Sequence, residues 1–266
     1  MSAKYSLESD LELALELAAI ADEITMARYL AQDLVVSTKP DNTPVTDADK
    51  ATEEALRKHL AVTRPEDGLV GEEFGNENKE AARYWVMDPI DGTKNFMRGV
   101  PTWATLIGLV ERQIDGSEKV IVGVASSPAL SRRWFASSGN GAFTTLNNSA
   151  PRKISVSKVS ELSNASIAYS DFQGWSDRLV KFQNLISTCT RSRGYGDFWS
   201  HMLVAEGAVD IAAEPSLALW DMAALDVIVR EAGGTFSNLA GEVGPFGGSG
   251  ISTNTLLHSK VMAALN

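Results

Sequence analysis

The chain has 266 residues, 44% of them hydrophobic and 22% charged, a balance that argues against global disorder and leaves enough chain to bury a core. Lys and Arg number 24 against 34 Asp and Glu, a formal charge of −10, which argues against a protein built to grip a nucleic acid backbone or an anionic membrane. A single cysteine, Cys189, excludes an intrachain disulfide and a cysteine-based zinc site and fits a reducing cytoplasm.

The stretch Met1-Ser2-Ala3-Lys4-Tyr5 leads into charged residues, unlike the apolar core of a secretion signal, and no run approaches the roughly 18–20 apolar residues of a membrane span. Leu13, Leu17, Ile20 and Ile24 recur at helical spacing and predict a helix over about 8–35, with Ser9 and Glu12 as a capping box. Lys39 to Pro44 breaks the pattern as a loop. Thr46 with Asp49 reads as the capped start of a helix running to about 62. Strands are predicted at Leu69-Val70, Tyr84–Met87, Thr105–Val110, Lys119–Ser126 and Arg133–Ala136. Beyond Pro151 come a strand near Ile167, helices over 176–188 and near 198–206, a strand near 209–213 and a helix over about 219–232. That helix ends at Gly233-Gly234, and a last one lies near 254–265. The pattern divides into two mixed α and β halves, 1–150 and 151–266, with an interface between them.

The stretch Asp88-Pro89-Ile90-Asp91-Gly92-Thr93 places two acids three residues apart at the end of a strand. Such a turn offers hard oxygen ligands to a cation of the Mg²⁺ type. Thr93 is expected to cap a following helix, whose first N–H groups would receive a phosphate. Read alone, the stretch is equally a polar loop with an Asx turn. The arrangement recurs: Glu72-Glu73 follows another strand, and Asp49 and Asp221 each open a helix. One acid at a helix start is more often a dipole partner than a ligand, but four such clusters could converge on one cleft. His59, His201 and His258 are isolated and read as structural or solvated.

In order and spacing, Asp49, Glu72-Glu73, Asp88 to Thr93, Trp220-Asp221 and Gly233-Gly234 resemble the pattern of the inositol monophosphatase-like family of magnesium-dependent, lithium-sensitive phosphatases. The match spans about residues 8–265. The resemblance implies an α/β fold, a layered α-β-α-β-α sandwich of the inositol monophosphatase and fructose-bisphosphatase type, commonly a homodimer. It further implies that Glu72, Asp88 and the Ile90 carbonyl hold one Mg²⁺, that Asp88, Asp91 and Asp221 hold a second, and that Asp49 helps place a third. Mn²⁺ could substitute. Glu72, Asp49 and Thr93 would form the catalytic set, Asp49 and the Thr93 hydroxyl orienting or deprotonating the attacking water. The Gly92 and Thr93 N–H groups would hold the phosphate, with Asp91, Lys94 and Asp221 beside the substrate. Lys39 stands where the family often has a lysine near the site, and reads equally as a solvated loop charge.

The stretch Arg191 to Trp199 departs from the inositol-specific pattern and is similar to the histidinol-phosphate phosphatase branch of that family. That resemblance implies a small phosphate ester, histidinol phosphate, as substrate, and a place in histidine biosynthesis. Either Arg191 or Arg193 would face the site, and Asp197 and Glu214 would accept the substrate's cationic groups. Asp197 reads alternatively as a helix cap. Trp103 reads either as a stacking surface for a cation or as core. A broad inositol, sugar or nucleotide phosphatase, and a non-catalytic metal- or phosphate-binding regulator, are the competing readings.

Overall fold

Helix α1 (Leu7–Arg28) begins where the Ser6 Oγ accepts the Ser9 N–H, so the cap is Ser6 and not Ser9 with Glu12. The computed structural model describes residues 5–266, and Met1 to Lys4, where the N-terminal stretch begins, lie outside the described residues. α1 stops well short of residue 35. Tyr29 turns extended and its hydroxyl donates to the Gly99 carbonyl at 2.6 Å, and Leu30 follows at a φ of 65°. Tertiary anchoring thus ends a helix that the residue pattern alone would continue. The supposed loop is a hairpin, β1 (Val36–Thr38) and β2 (Pro44–Thr46), with Val36 opposite Thr46. Helix α2 (Asp47–Thr63) starts on the expected capping box: the Thr46 Oγ accepts the Asp49 N–H while Asp49 Oδ2 accepts the Thr46 N–H.

The first sheet takes β3 (Gly68–Gly71), β4 (Gly75–Glu77) and β5 (Arg83–Asp91). After the short α3 (Thr93–Met97) it continues with β6 (Ala104–Arg112), β7 (Glu118–Ser127), β8 (Arg132–Ser137), β9 (Gly141–Leu146) and β10 (Arg152–Ile154). The order is β10-β9-β8-β7-β6-β5-β3-β4, antiparallel except for the β3–β5 pair. Because β10 pairs with β9, this sheet reaches Ile154, a little past residue 150.

The second half supplies β11 (Ser166–Ala168), α4 (Leu179–Thr188), β12 (Arg191–Arg193), α5 (Asp197–Ala205) and β13 (Ile211–Glu214). It ends with α6 (Leu219–Glu231), β14 (Gly234–Ser237), β15 (Gly250–Asn254) and α7 (His258–Leu265). Its sheet runs β12-β11-β13-β15-β14, the first three strands parallel and the last two antiparallel. The last helix therefore starts later than expected. Asn254 belongs to a paired strand, its amide donating to Ser157 Oγ and the Val159 carbonyl, and its Oδ1 accepts the Leu257 N–H that precedes α7.

Alternation along β5 explains the layering. Trp85 and Met87 pack on one face with Leu13 and Leu17 of α1 and Leu56 and Leu60 of α2. Tyr84 and Val86 pack on the other with Phe198 and Met202 of α5 and Leu225 and Ile228 of α6. The second sheet covers α4 and α7 through Ile167, Ile211, Phe182 and Val261. The result is the expected α-β-α-β-α sandwich. Among the described residues no helix is long and apolar enough to cross a membrane.

Helix α6 approaches the first sheet closely because cross-strand partners Gly108 and Gly123 carry no side chains. A Cβ on Gly123 would lie 2.4 Å from Val227 Cγ1 and 2.6 Å from the Ala224 carbonyl oxygen. That approach matters because the first turn of α6 carries Asp221. Gly123→Ala is expected to cost about 1–3 kcal/mol in denaturant unfolding, as overpacking does. An unchanged midpoint would mean that α6 can move off the sheet freely.

Candidate active site

Two acids three residues apart on a regular strand point to opposite faces. β5 avoids this with an irregularity: Asp88 pairs with Leu106 and Asp91 with Ala104, so one extra residue is inserted between them. The bulge turns both carboxylates to the same side. The acids are thus on the last turn of β5 itself, not beyond it. Asp88 Oδ1 accepts the Ile90 N–H at 2.9 Å, which holds the bulge. Asp221 arrives from α6, its Oδ2 accepting the Ala218 N–H at 2.7 Å. Asp88, Asp91 and Asp221 each place an oxygen within 4.8 Å of the others.

Thr93 does not cap α3. Gly92 is the N-cap residue, at a left-handed φ of 87°. The Thr93 hydroxyl donates to the Ile90 carbonyl at 3.0 Å and lies 3.4 Å from Asp49 Oδ1. Asp49 is fully buried, with its other oxygen taken by the Thr46 N–H and hydroxyl. Glu72 leaves the carboxyl end of β3, next to Asp88 on the parallel strand β5. Its turn is fixed from beneath by Glu53, a buried residue that accepts the N–H groups of Glu73 and Phe74 and pairs with Arg57. Glu53 fits there because Gly71 has no Cβ, which would lie 2.0 Å from Glu53 Oε1. Lys39 reaches over from the β1–β2 turn and pairs with Glu72 at 2.6 Å and Glu73 at 2.7 Å, so it is a counter-ion and not a solvated loop charge.

A cleft of about 410 Å³ lies between the two halves, bounded by Glu72, Asp88 and Asp91 on one side and by Ser170, Tyr195 and Asp197 on the other, with Asp49 buried behind its lining. Ile90, Gly92, Thr93, Lys94 and Asp221 also line it. A connected hollow of about 190 Å³ is bounded by Asp197, Glu214, Asp221 and Ser170. A slightly larger hollow, about 450 Å³, lies beside Arg132 and Arg133, but those charges are already paired with Glu206 and Asp22. The carboxyl ends of the parallel strands β3, β5, β11 and β13 all deliver polar residues to the central cleft, as is usual for sites in α/β folds.

Asp197 is the first residue of α5, and its side chain makes no capping bond, which removes the cap reading. Its Oδ2 accepts from Asn95 Nδ2 at 3.0 Å. Glu214 accepts from Ser170 Oγ at 2.7 Å. Trp103 is fully buried against Tyr29 and Phe96, so it is core and offers no face to a ligand. Arg191 and Arg193 sit on the edge strand β12, exposed and outside the cleft lining; Arg191 donates to the Tyr195 hydroxyl and Arg193 to the Ser192 carbonyl. His201 is buried on Ser252 Oγ, and burial lowers its pKa to about 4, so it is neutral packing. Asn95, Ser170 and Asp171 line the cleft without having been singled out. The rule that polar residues just past a strand mark a site would have found the last two, since they follow β11.

The electrostatics are those of an acidic nest. Burial, then repulsion from Glu72, Asp91 and Asp221, holds the Asp88 carboxyl well above its ordinary range. Burial and the neighbouring Asp197 and Asp221 do the same to Asp91. Burial and Glu72 push Asp221 to about 7 against the Ala218 N–H, and burial raises Asp49 to about 6 against its Thr46 donors. Converging buried oxygen donors that repel one another when empty fit a hard divalent cation, which relieves that repulsion.

A layered sandwich with a bulged turn of crowded carboxylates facing a cleft is the arrangement expected of a metal-dependent phosphoric monoester hydrolase. The profile of the inositol monophosphatase family matches residues 6–266, and the chain belongs to that family. It is 54% identical over 97% of its length to the histidinol-phosphatase of Mycobacterium tuberculosis, of which it covers 98%, and 52% identical to that of Streptomyces coelicolor, at 97% of each chain. Among solved structures, extragenic suppressor protein suhB from Bartonella henselae superposes with a TM-score of 0.86 at 29% identity, over 97% of this chain and 98% of that one.

Two outcomes follow from the crowded acids. In the metal-free protein these carboxyls keep protons that the unfolded chain has lost above about pH 4, so the folded state binds more protons and stability falls as pH rises from there through about 7. Thermal melts of chelated protein should therefore be higher at pH 5 than at pH 8, and a saturating divalent cation should remove most of that slope; equal melts at both pH values would contradict the nest. Asp88→Asn should lower turnover by on the order of 10²-fold or more. It should also leave the chelated protein at least as stable, because it removes a buried carboxyl that the crowded site must otherwise keep protonated, and it should abolish the stabilisation by metal.

Proposed function

We propose that the protein is a Mg²⁺-dependent histidinol-phosphate phosphatase that converts histidinol phosphate and water to histidinol and phosphate. The observation that carries this reading is the polarity of the cleft. One wall offers Asp88, Asp91 and Glu72, with Asp221 and the opening N–H groups of α3 beside them; the facing wall offers Asp197, Glu214 and Asp171. Histidinol phosphate has the matching form, a dianion at one end and an ammonium and imidazole at the other. The names of the relatives at 54% and 52% identity support the same substrate.

Uncatalysed phosphate monoester hydrolysis is among the slowest reactions known, so stabilisation of about 20 kcal/mol or more is required. Asp88, Asp91, Asp221, Glu72 and the Ile90 carbonyl would hold the divalent cations, with Asp49 beside them. Bound there, Mg²⁺ supplies charge neutralisation of the phosphate and a lowered pKa for water. The first N–H groups of α3, at Thr93 and Lys94, have no acceptor within the helix and receive phosphate oxygens, with Gly92 beside them. Thr93 Oγ1 and Asp49 Oδ1 would together orient the attacking water, and Asp49 would take its proton as the phosphorus is attacked. The ester P–O bond breaks as the new one forms, and the proton taken by Asp49 passes through solvent to the departing histidinol oxygen, so that phosphate and neutral alcohol are released. On the facing wall, burial raises Glu214 to about 8, so it is largely protonated when the cleft is empty. An ammonium or imidazolium arriving beside it favours the ionised form and is held as an ion pair.

The proposed enzyme is cytoplasmic, a reading that the single unpaired cysteine supports, and a homodimer. The exposed apolar Leu30, packed over Gly99 beside Met97 and Val100, supports a subunit face.

Phosphate release with Mg²⁺ should be compared for histidinol phosphate, inositol monophosphate, fructose bisphosphate and 3′-phosphoadenosine 5′-phosphate. Histidinol phosphate is expected to be preferred. Preference for inositol monophosphate would replace the substrate assignment, and no release from any would leave a metal- or phosphate-binding regulator. Asp197→Ala should reduce kcat/KM for histidinol phosphate about tenfold more than for glycerol 2-phosphate, the value of one charged contact.

A further inference from the structure

Asp197 does not hold its own position. It is a non-glycine residue at a φ of 50°, after Gly196 at 78°, a backbone that persists only when its surroundings impose it. Two bonds do so. The Asp197 N–H donates to Ser170 Oγ at 3.0 Å, and Asn95 Nδ2 donates to Asp197 Oδ2 at 3.0 Å. The Asn95 amide is itself fixed, since its nitrogen also donates to the Thr102 carbonyl at 2.9 Å. This leaves Asp197 Oδ1 without a hydrogen bond among the described residues. The next residue of α5 is gripped from the same turn, the Phe198 N–H donating to Asp91 Oδ2 at 2.7 Å. Asp91 and Asn95 therefore hold two successive residues of the opposite half, one from the bulged end of β5 and one from α3. The approach is close enough that a Cβ on Gly92 would lie 3.4 Å from Asp197 Oδ2.

We propose that Asn95 is a positioning residue for substrate selectivity: from the metal-bearing half it fixes the Asp197 carboxylate, and so sets how the cation-accepting oxygen of Asp197 is placed relative to the phosphate-binding turn beside it. Asn95 acts through Asp197 and touches neither the reacting phosphorus nor the water. The inference rests on the reading of Asp197 as the acceptor of the substrate's cationic group. It assigns selectivity to a side chain in the half that carries most of the proposed metal ligands.

The test is a double-mutant cycle on the Mg²⁺-loaded full chain, with kcat/KM measured for histidinol phosphate and for glycerol 2-phosphate, which has no cationic group. The wild-type preference for histidinol phosphate is read first, and its absence would bring down the substrate reading independently of Asn95. Given that preference, Asn95→Ala should reduce the ratio of the two kcat/KM values by about tenfold, through KM for histidinol phosphate more than kcat. In the Asp197→Ala background the same change should leave the ratio within about twofold, because the group it positions is gone. Asn95→Ser, whose hydroxyl is too short to span to Asp197, should reproduce the loss and serves if the alanine variant does not fold. Equal losses on both substrates, or a full further loss in the Asp197→Ala background, would overturn the proposal and leave Asn95 as a structural residue of α3.

Discussion

The constraint on which the structure depends is the convergence of Asp88, Asp91 and Asp221, three carboxylates with oxygens inside 4.8 Å of one another in a largely buried place. Like charges at that range are costly, and burial adds to the cost. Each part of the surrounding fold holds one of the three against that repulsion. The bulge at the end of β5 turns Asp88 and Asp91 to the same side. The paired glycines on β6 and β7 let α6 close on the sheet and bring Asp221 in. The Phe198 and Ala218 N–H groups neutralise part of the charge on Asp91 and Asp221. The energy stored in the empty site is recovered when a divalent cation enters, so metal affinity and apo instability have one origin.

The same arrangement joins the halves. α5 and α6 belong to the second half by sequence but pack on the first sheet, and the first residues of α5 are held by Asp91 and Asn95. A cleft between freely moving halves would have no fixed distance between its two facing walls. Here that distance is set by hydrogen bonds of about 3 Å that cross the cleft floor.

Much of this was legible in the residues. The Thr46–Asp49 capping box, the core strands of the first sheet and the acids after β3 were readable because each signal is local: a cap, an alternation, a turn dipeptide. The family pattern then ordered the acids into one site. What was not legible depended on distant partners. α1 ends at Arg28 because Tyr29 is claimed by Gly99, seventy residues on. The expected helix start at 254 is a strand because β13 and β14 bind it from both sides. Asp197 resembles a helix cap in sequence, and only the fold shows its carboxylate taken by Asn95. The two arginines at 191 and 193 looked like substrate contacts because the strand that carries them was not foreseen; both are exposed on the edge strand β12.

The excess of acids has two physical meanings that composition alone cannot separate. On the proposed function, Asp49, Glu72, Asp88, Asp91 and Asp221 are gathered for cations that stay with the enzyme, and they would make a dianionic phosphate acceptable only when those cations are present. Asp171, Asp197 and Glu214 line the facing side of the same hollow, where on the proposed function the substrate brings a cation. Burial alone does not distinguish them, since Asp49 and Glu214 are both buried acids with raised pKa values. What distinguishes them is company. The first group crowds its own members and N–H donors suited to phosphate, whereas Asp197 and Glu214 are each tied to a neutral donor, Asn95 and Ser170, that leaves capacity for a positive ligand. On the proposed function, a phosphate ester lacking a cationic group would satisfy the first set but leave Glu214 protonated and the spare oxygen of Asp197 unused, and that asymmetry favours histidinol phosphate over a neutral alcohol's ester.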